Sequence, residues 1–277
     1  MLKIDLHIHS AFSDGTLSPQ VLVRELKEKR VCVASLTDHD TVDGVEPFLA
    51  ACRRLSIQGV SGVELSATHD RVLHILGYAF DPRHEALRVG LERNRNSRNI
   101  RNAQICEKLR ALGCDVTLAE AETLAREAGS SSVGRPHIAQ ALCAKGCVPS
   151  LQVAFDRYLK RGASAHVFQS FMTAEECLQL VRGAGGLPVL AHPRQTALLD
   201  QIPPLLSRLK AGGLWGLECW SPGNNAAEVY RSLELAAEFG LYPTAGSDFH
   251  GGRHGAPSVG IRVAEDVLPW ARLCGGL

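Results

Sequence analysis

Short apolar runs alternate along this chain with stretches whose apolar positions recur every three or four residues. The first run, Ile4-Asp5-Leu6-His7-Ile8-His9, reads as an apolar-rich strand ending in two histidines at alternate positions. A polar turn follows, and then Ser18 as N-cap, Pro19 in the first turn and a stripe of Val21, Leu22 and Leu26 predict a helix. Strands are predicted over 31–36, 57–63 and 72–78, with a helix over 45–55 between the first two of these. After Gly162 the same rhythm returns, with helices over 174–183, 198–211 and 226–239 and strands over 187–191, 214–219 and 242–246. Strands alternating with helices at this spacing predict βα units and a mostly parallel sheet or barrel. Such frames gather functional groups at the C-terminal ends of their strands.

The rhythm breaks between Asp81-Pro82 and Gly162. A long helical run rich in Arg and Asn covers 86–112, and further helical stretches cover 118–128, 138–145 and 151–159. This predicts a helical insertion over 86–168 in an α/β frame made of 1–85 and 169–277.

Composition adds constraints. The chain has 277 residues, 45% hydrophobic and 21% charged, enough for one large domain with an insertion. A net charge of +1 gives no global field for duplex DNA or a membrane surface. No apolar run approaches a transmembrane length, and no signal-peptide pattern is present. Nine scattered cysteines without a C-x-x-C pair argue against both a disulfide framework and a thiolate zinc site. The expectation is a cytoplasmic protein with reduced thiols.

The strand ends carry the chemistry. His7 and His9 stand at i and i+2 of a strand and share a face, so they can bind one ion together, with Asp14 close behind. Further His, Asp and Glu residues close the other runs: His39, Glu64, His192, Asp248 and His250, with His74 inside its strand. Six imidazoles and three carboxylates, with no thiolate, suit first-row divalent ions, and nine ligands are too many for one. Two or three ions bridged by carboxylates fit, and the ligands converge only if the sheet curls into a barrel.

Taken together, His7-x-His9, Thr37-Asp38-His39-Asp40, Gly62-Val63-Glu64, the His74 strand, Ala191-His192-Pro193 and Gly246-Ser247-Asp248-Phe249-His250 resemble the polymerase-and-histidinol-phosphatase (PHP) family. The resemblance spans nearly the whole chain in the expected order. It implies a distorted (β/α)7 barrel, a trinuclear divalent-metal site and phosphoester hydrolysis, with Mn²⁺ first among the metals and Fe²⁺ or Zn²⁺ as alternatives. On that resemblance His7, His9, Glu64 and Asp248 hold the first metal. A bridging Glu64 holds the second with His74 and His192, and Asp14, His39 and His250 hold the third. One departure is that His192-Pro193 runs into Arg194-Gln195, where relatives often carry Gly-Arg.

The insertion resembles the branch of nucleoside 3′,5′-bisphosphate phosphatases and the related 5′→3′ exoribonuclease, which implies that segment 86–168 covers the active site at the barrel mouth. Arg95, Arg98 and Arg101 share one helical face, and Gly134-Arg135-Pro136-His137 opens the next apolar helix. Arginine pairs bidentately with phosphate, and a helix N-terminus favours anions. Arg98, Arg101, Arg135 and His137, with Asp14, are therefore the candidates for holding substrate. The expected chemistry is in-line attack by a hydroxide held between metals at Glu64 and Asp248, with no protein nucleophile. Metal-bound water or His137 would protonate the leaving group. The expected substrate is a nucleoside 3′,5′-bisphosphate or a short single-stranded RNA. The alternatives are a histidinol-phosphate phosphatase and a non-catalytic nucleotide-binding module. His69, His84, His166 and His254 are expected at the surface or behind the ligands, and Trp215, Trp220 and Trp270 in packing. Glu218 is expected at the mouth or on the surface, and Lys160 and Arg161 on a solvated rim.

Overall fold

The computed structural model describes residues 1–68, 72–130, 132–168, 170–196, 201–221, 223–251 and 258–274. His69, His254, the first residues expected in the 198–211 helix and the Trp270 side chain lie outside the described residues. One curled sheet carries the chain. Its strands are β1 (Leu2–Ile8), β2 (Val33–Leu36), β3 (Gln58–Thr68), β4 (Val72–Tyr78), β5 (Met172–Thr173), β6 (Leu187–Leu190), β7 (Gly216–Trp220), β8 (Tyr242–Ala245) and β9 (Ile261–Val263). They lie in the order β8-β7-β6-β4-β3-β2-β1-β9, with β5 paired to β3. Beyond β8 the Asp248 N–H donates to the His7 carbonyl at 2.7 Å and the His9 N–H to the Phe249 carbonyl at 2.8 Å. The chain after β8 thus returns to the upper half of β1, while β9 pairs antiparallel with its lower half. This is the barrel closure that convergence of the ligands requires.

Besides the β1–β9 pair, the sheet departs from parallel pairing around β4. β4 is antiparallel to both β3 and β6. Pairing with β4 carries β3 on to Thr68, so Glu64 lies within its strand and not at its end. The periodicity of 57–63 showed only the half of β3 that precedes it. Two short pieces, β5 and β9, gave no run long enough to read.

Helices α1 (Pro19–Glu28), with the Ser18 hydroxyl accepting from the Val21 N–H, and α2 (Val45–Arg54) cover β1 and β2. α3 (Glu85–Ala111) is 27 residues long, about 40 Å at the α-helical rise. Its first half buries Leu87 and Leu91 in the barrel's apolar layer. Its second half puts Ile105 and Leu109 into a separate apolar cluster with Val116, Ile138, Leu142 and Leu159. That cluster is completed by α4 (Leu118–Glu127), α5 (Arg135–Ala144) and α6 (Leu151–Ala154), which continues as a π-helical turn over Phe155–Leu159. The βα order resumes with α7 (Ala174–Gly183), α8 (Pro193–Thr196), α9 (Ile202–Ala211), α10 (Ala226–Glu238) and α11 (Trp270–Leu273). Trp215 stacks on Tyr242 at 4.7 Å and Trp220 packs on the apolar layers, as expected of both. Among the described residues no helix is long and apolar enough to cross a membrane.

Candidate metal centre

β1 alternates Ile4, Leu6 and Ile8 with Asp5, His7 and His9, and its polar face meets Glu64 of β3 at the barrel mouth. The Glu64 carboxylate, with no exposed surface, is the hub. Its Oε2 lies 3.3 Å from His7 Nε2, 3.3 Å from His9 Nε2 and 3.0 Å from His39 Nδ1. Its Oε1 lies 2.9 Å from His74 Nδ1 and 3.1 Å from His192 Nε2. Asp248 Oδ1 adds contacts of 3.1 Å to His9 and 3.4 Å to His7. Asp14 stands on the outer side, 3.4 Å from His250 Nε2, 3.7 Å from His9 and 3.8 Å from His39. All nine candidate ligand side chains therefore meet at one mouth. Their donor atoms form three overlapping groups, each within 4.8 Å: His7-His9-Glu64-Asp248, His39-Glu64-His74 and His9-Asp14-His39-His250. His192 joins through Glu64 and stands 3.3 Å from His74.

Local backbone explains how scattered residues converge. In the antiparallel β3–β4 pair Ser66 lies opposite His74. Glu64 and Ser66 share a face, so a strand-interior histidine reaches the hub across the ladder. Asp40 (φ 52°), His192 (φ 24°) and Asp248 (φ 51°) have left-handed backbones, a conformation costing L residues roughly 1–3 kcal/mol each. Such strain persists where surrounding bonds fix it. The His192 N–H donates to Glu218 Oε2 at 2.7 Å, and the Asp248 N–H is tied to β1. Buried Asp5 accepts from the Ser247 N–H and hydroxyl, at 2.8 and 2.6 Å, and from the Gly260 N–H at 2.7 Å, which holds the turn that presents Asp248. Buried Asp38 does the same for the loop after β1, accepting from the Ser10 N–H and hydroxyl and the Ser13 hydroxyl. Gly246 is required by contact: a Cβ there would lie 2.1 Å from His7 Cβ.

The charge distribution is that of a cation site. Burial works against a charged His7, yet Glu218, Glu64 and Asp248 carry its pKa well above the ordinary value. Burial likewise opposes a charged His9, but Asp248 and Glu64 raise it to about 10. His39 and His192 shift upward against burial by the pull of Glu64, whereas burial wins at His74 and lowers it. Buried Glu64 and partly exposed Asp14 are both held well below the carboxylate range by the surrounding imidazoles, His39 foremost. Burial pushes Asp5 up to about 6 and raises Asp38. His7 Nε2, both ring nitrogens of His9, His39 Nδ1 and Glu64 Oε2 are buried without a hydrogen-bond partner. Buried polar atoms are rarely left so. Facing one another, with imidazole and carboxylate chemistry and no thiolate, they fit divalent cations as the missing partners.

Glu218 corrects a sequence expectation. It is neither rim nor surface but fully buried, and it accepts from His7 Nδ1 at 2.9 Å as well as from the His192 N–H. A carboxylate there fixes the Nδ1–H tautomer of His7 and turns Nε2 to the hub. No local pattern marks it, because its partners lie 211 and 26 residues away.

The arginines divide. Arg95 lies 3.6 Å from Asp43 at the surface. Arg98 donates to Asp40 Oδ2 at 2.8 Å and lies over the Phe171 ring. Arg101 is buried, and among the described residues its side chain is hydrogen-bonded to the Asn102 side chain; burial, with Arg98 and Arg135 nearby, lowers it to about 9. Arg135 is lowered by burial and by Arg98. Among the described residues no acidic side chain lies within 4.0 Å of Arg101 or Arg135. His137 is buried and accepts the Gly134 N–H on Nδ1 at 3.0 Å, capping α5. Arg194 pairs with Glu228 at 2.8 Å, His84 caps α3, and Lys160 pairs with Asp156 at 2.9 Å on the surface. A cleft of about 630 Å³ opens beside His39, between Phe12 on the barrel and Arg98, Asn96, Asn99 and Arg126 on the helices.

Comparison with known proteins agrees with this geometry. The PHP domain family matches residues 5–159. The chain is 32% identical over 274 residues to a 3′,5′-nucleoside bisphosphate phosphatase of Chromobacterium violaceum, covering 98% of this chain and 95% of the relative. It is 33% identical over 250 residues to a 5′-3′ exoribonuclease of Haemophilus influenzae, covering 90% of each. A crystal structure from Bifidobacterium adolescentis, assigned to the metal-dependent phosphoesterases, superposes with a TM-score of 0.82 at 29% identity, over 99% of this chain and 96% of that one. The closed sheet, the imidazole–carboxylate hub and these relatives together establish that the chain belongs to the PHP domain family.

Proposed function

We propose that this chain is a metal-dependent phosphoesterase that hydrolyses 5′-phosphorylated nucleotides, either a nucleoside 3′,5′-bisphosphate or the 5′ end of a short RNA. One observation carries the reading. A buried carboxylate ringed by five imidazoles, with inward-facing atoms that lack hydrogen-bond partners, stands in the same molecule as buried Arg101 and half-buried Arg135, neither of which pairs with an acid among the described residues. The names of the two enzyme relatives, a nucleotide phosphatase and an exoribonuclease, support the same substrate class. We assign two to three divalent ions, Mn²⁺ first. His7, His9, Glu64 and Asp248 hold one, Glu64, His74 and His192 a second, and Asp14, His39 and His250 a third. The grouping of donor atoms lets His9 also serve the third ion and His39 the second.

When bound, such ions neutralise phosphate charge and lower the pKa of coordinated water from 15.7 toward about 7. The chain's own groups do the rest. Glu218 keeps His7 in one tautomer, and Asp5 and Asp38 hold the loops that carry Asp248 and Asp14. Arg101 and Arg135 bind the phosphate that is not cleaved, and the cleft beside His39 receives the nucleoside. The helical segment 86–168 brings these groups over the mouth, and the protein works in the cytoplasm on single-stranded or mononucleotide substrates.

The test is phosphate or nucleotide release by Mn²⁺-reconstituted protein on adenosine 3′,5′-bisphosphate, a short 5′-phosphorylated RNA and histidinol phosphate. Turnover of the first two, weakened by Arg135→Ala through a raised KM, supports the reading. Turnover of histidinol phosphate alone overturns it.

A further inference from the structure

Asp40 is a fully buried carboxylate at the edge of the hub, and the metal assignment gives it no part. Its four partners come from two parts of the molecule. The Ser66 N–H and hydroxyl of β3 donate to it at 2.9 and 2.8 Å, and Asn94 Nδ2 and Arg98 Nη2 of α3 donate at 2.9 and 2.8 Å. Asn94 is used in full: it also donates to the Ser66 carbonyl at 2.7 Å and accepts the Met172 N–H at 3.0 Å. Arg98 donates a second time, to the Ser66 hydroxyl at 3.1 Å. Two side chains one helical turn apart thus clamp α3 onto Asp40 and Ser66.

The clamp touches the immediate neighbours of one donor group. Asp40 follows His39 and has a left-handed backbone (φ 52°), with its N–H donating to the Glu64 carbonyl at 2.9 Å. Ser66 stands two residues after Glu64 and directly opposite His74. His39, Glu64 and His74 form one of the three groups whose donor atoms converge. Asp40 and Arg98 lack exposed rim geometry: Arg98 is largely buried, pressed on the Phe171 ring at 5.6 Å, with its charge already answered by Asp40. That arrangement suits a support better than a hand held out for phosphate.

We infer that Asp40, Arg98 and Asn94 are positioning residues, which set the spacing of the His39–Glu64–His74 donors from helix α3, so that metal retention at this group depends on how that helix docks. The inference rests on the metal-dependent reading above. It also separates Arg98 from Arg101 and Arg135, which bind substrate.

Metal binding to the protein without substrate tests it. Metal-free wild type, Arg98→Ala, Arg98→Lys, Asp40→Asn and Asn94→Ala are titrated with Mn²⁺, reading free Mn²⁺ by electron paramagnetic resonance. Arg93→Ala, which removes an exposed α3 pair with Glu176, is the control. The expected result is roughly 10-fold or greater weakening of one class of sites in Arg98→Ala, Asp40→Asn and Asn94→Ala. Partial rescue is expected in Arg98→Lys, and no change in the control. Equal Mn²⁺ affinity in wild type and all three variants, with Arg98→Ala raising only the substrate KM, overturns the inference and makes Arg98 a substrate ligand. Absence of Mn²⁺ binding by wild type overturns the function reading itself. Should Arg98→Ala not fold, Asp40→Asn and Arg98→Lys carry the same comparison.

Discussion

Replacing Glu218 by Gln asks whether a buried group that touches no ion controls the centre. Glu218 serves two donors at once, His7 Nδ1 at 2.9 Å and the His192 N–H at 2.7 Å. A glutamine has one acceptor oxygen, so in either flip its NH2 faces an N–H. One charge-assisted bond, about 1.5–3 kcal/mol, is lost and one donor is stranded at about 1–3 kcal/mol. The sum is about 2.5–6 kcal/mol in the metal-free protein, a Tm drop on the order of 10 °C at this chain length. The larger consequence is local. The bond that offsets the strain at His192 (φ 24°) and fixes the His7 tautomer is gone, so Mn²⁺ affinity should fall roughly 10–100-fold. Thermal denaturation in EDTA and Mn²⁺ titration read the two effects separately. If Glu218→Gln retained wild-type Tm and wild-type Mn²⁺ affinity, the claim that this carboxylate orients the ligands would be refuted.

Other outcomes follow from the same geometry. Arg101→Ala and Arg135→Ala should each raise KM for a nucleoside bisphosphate about 10–100-fold, the scale of one lost charge-assisted contact, with kcat changed far less; a kcat loss at constant KM in steady-state kinetics would contradict their role. Metal-free stability should depend on pH from both sides. The raised pKa values of His7, His9, His39 and His192 give stability present below 6.5 and lost as pH rises, through about 10 for His9; Asp5, raised to about 6, loses its own contribution earlier, as pH rises from 3.8 to about 6, and so only flattens the acid side of the maximum. The lowered pKa values of Asp14, Glu64 and Asp248 give stability present above about 4.5 and lost as pH falls. Tm in EDTA should therefore peak between about pH 4.5 and 6.5, and saturating Mn²⁺ should remove the decline above it. Leu142→Ala, at a fully buried position of the separate helical cluster, should cost about 2–5 kcal/mol. Hydrogen exchange should then show residues 105–165 opening more readily while β1–β3 keep their protection.

The ligands were legible because each stands in a short motif tied to a strand, and strand ends of βα frames converge by construction. His7 and His9 announce themselves through a period of two. His74 was read inside its strand, where it stands, but Glu64 was found as a residue and placed at a strand end: the antiparallel β3–β4 pair runs past it to Thr68, and the apolar run 57–63 shows only its first half. Glu218 and Asp40 were invisible as functional groups. One reads as an ordinary acid inside a strand and the other as part of a motif whose histidine draws attention. Their meaning lies in partners 211 and 58 residues away. Arg98 shows the converse limit, since helical spacing groups it with Arg101, while the ion pair with Asp40 separates them.

Whether this centre hydrolyses phosphoesters through bound divalent ions can be read from one titration. Metal-free protein is titrated with Mn²⁺ while bound metal and phosphate release from adenosine 3′,5′-bisphosphate are measured on the same samples. No turnover is expected without metal, with turnover rising at the second and third equivalents, and loss of both metal and turnover in Asp248→Ala. Phosphate release that persists in the metal-free protein, or that survives in Asp248→Ala while its metal content falls, would contradict it.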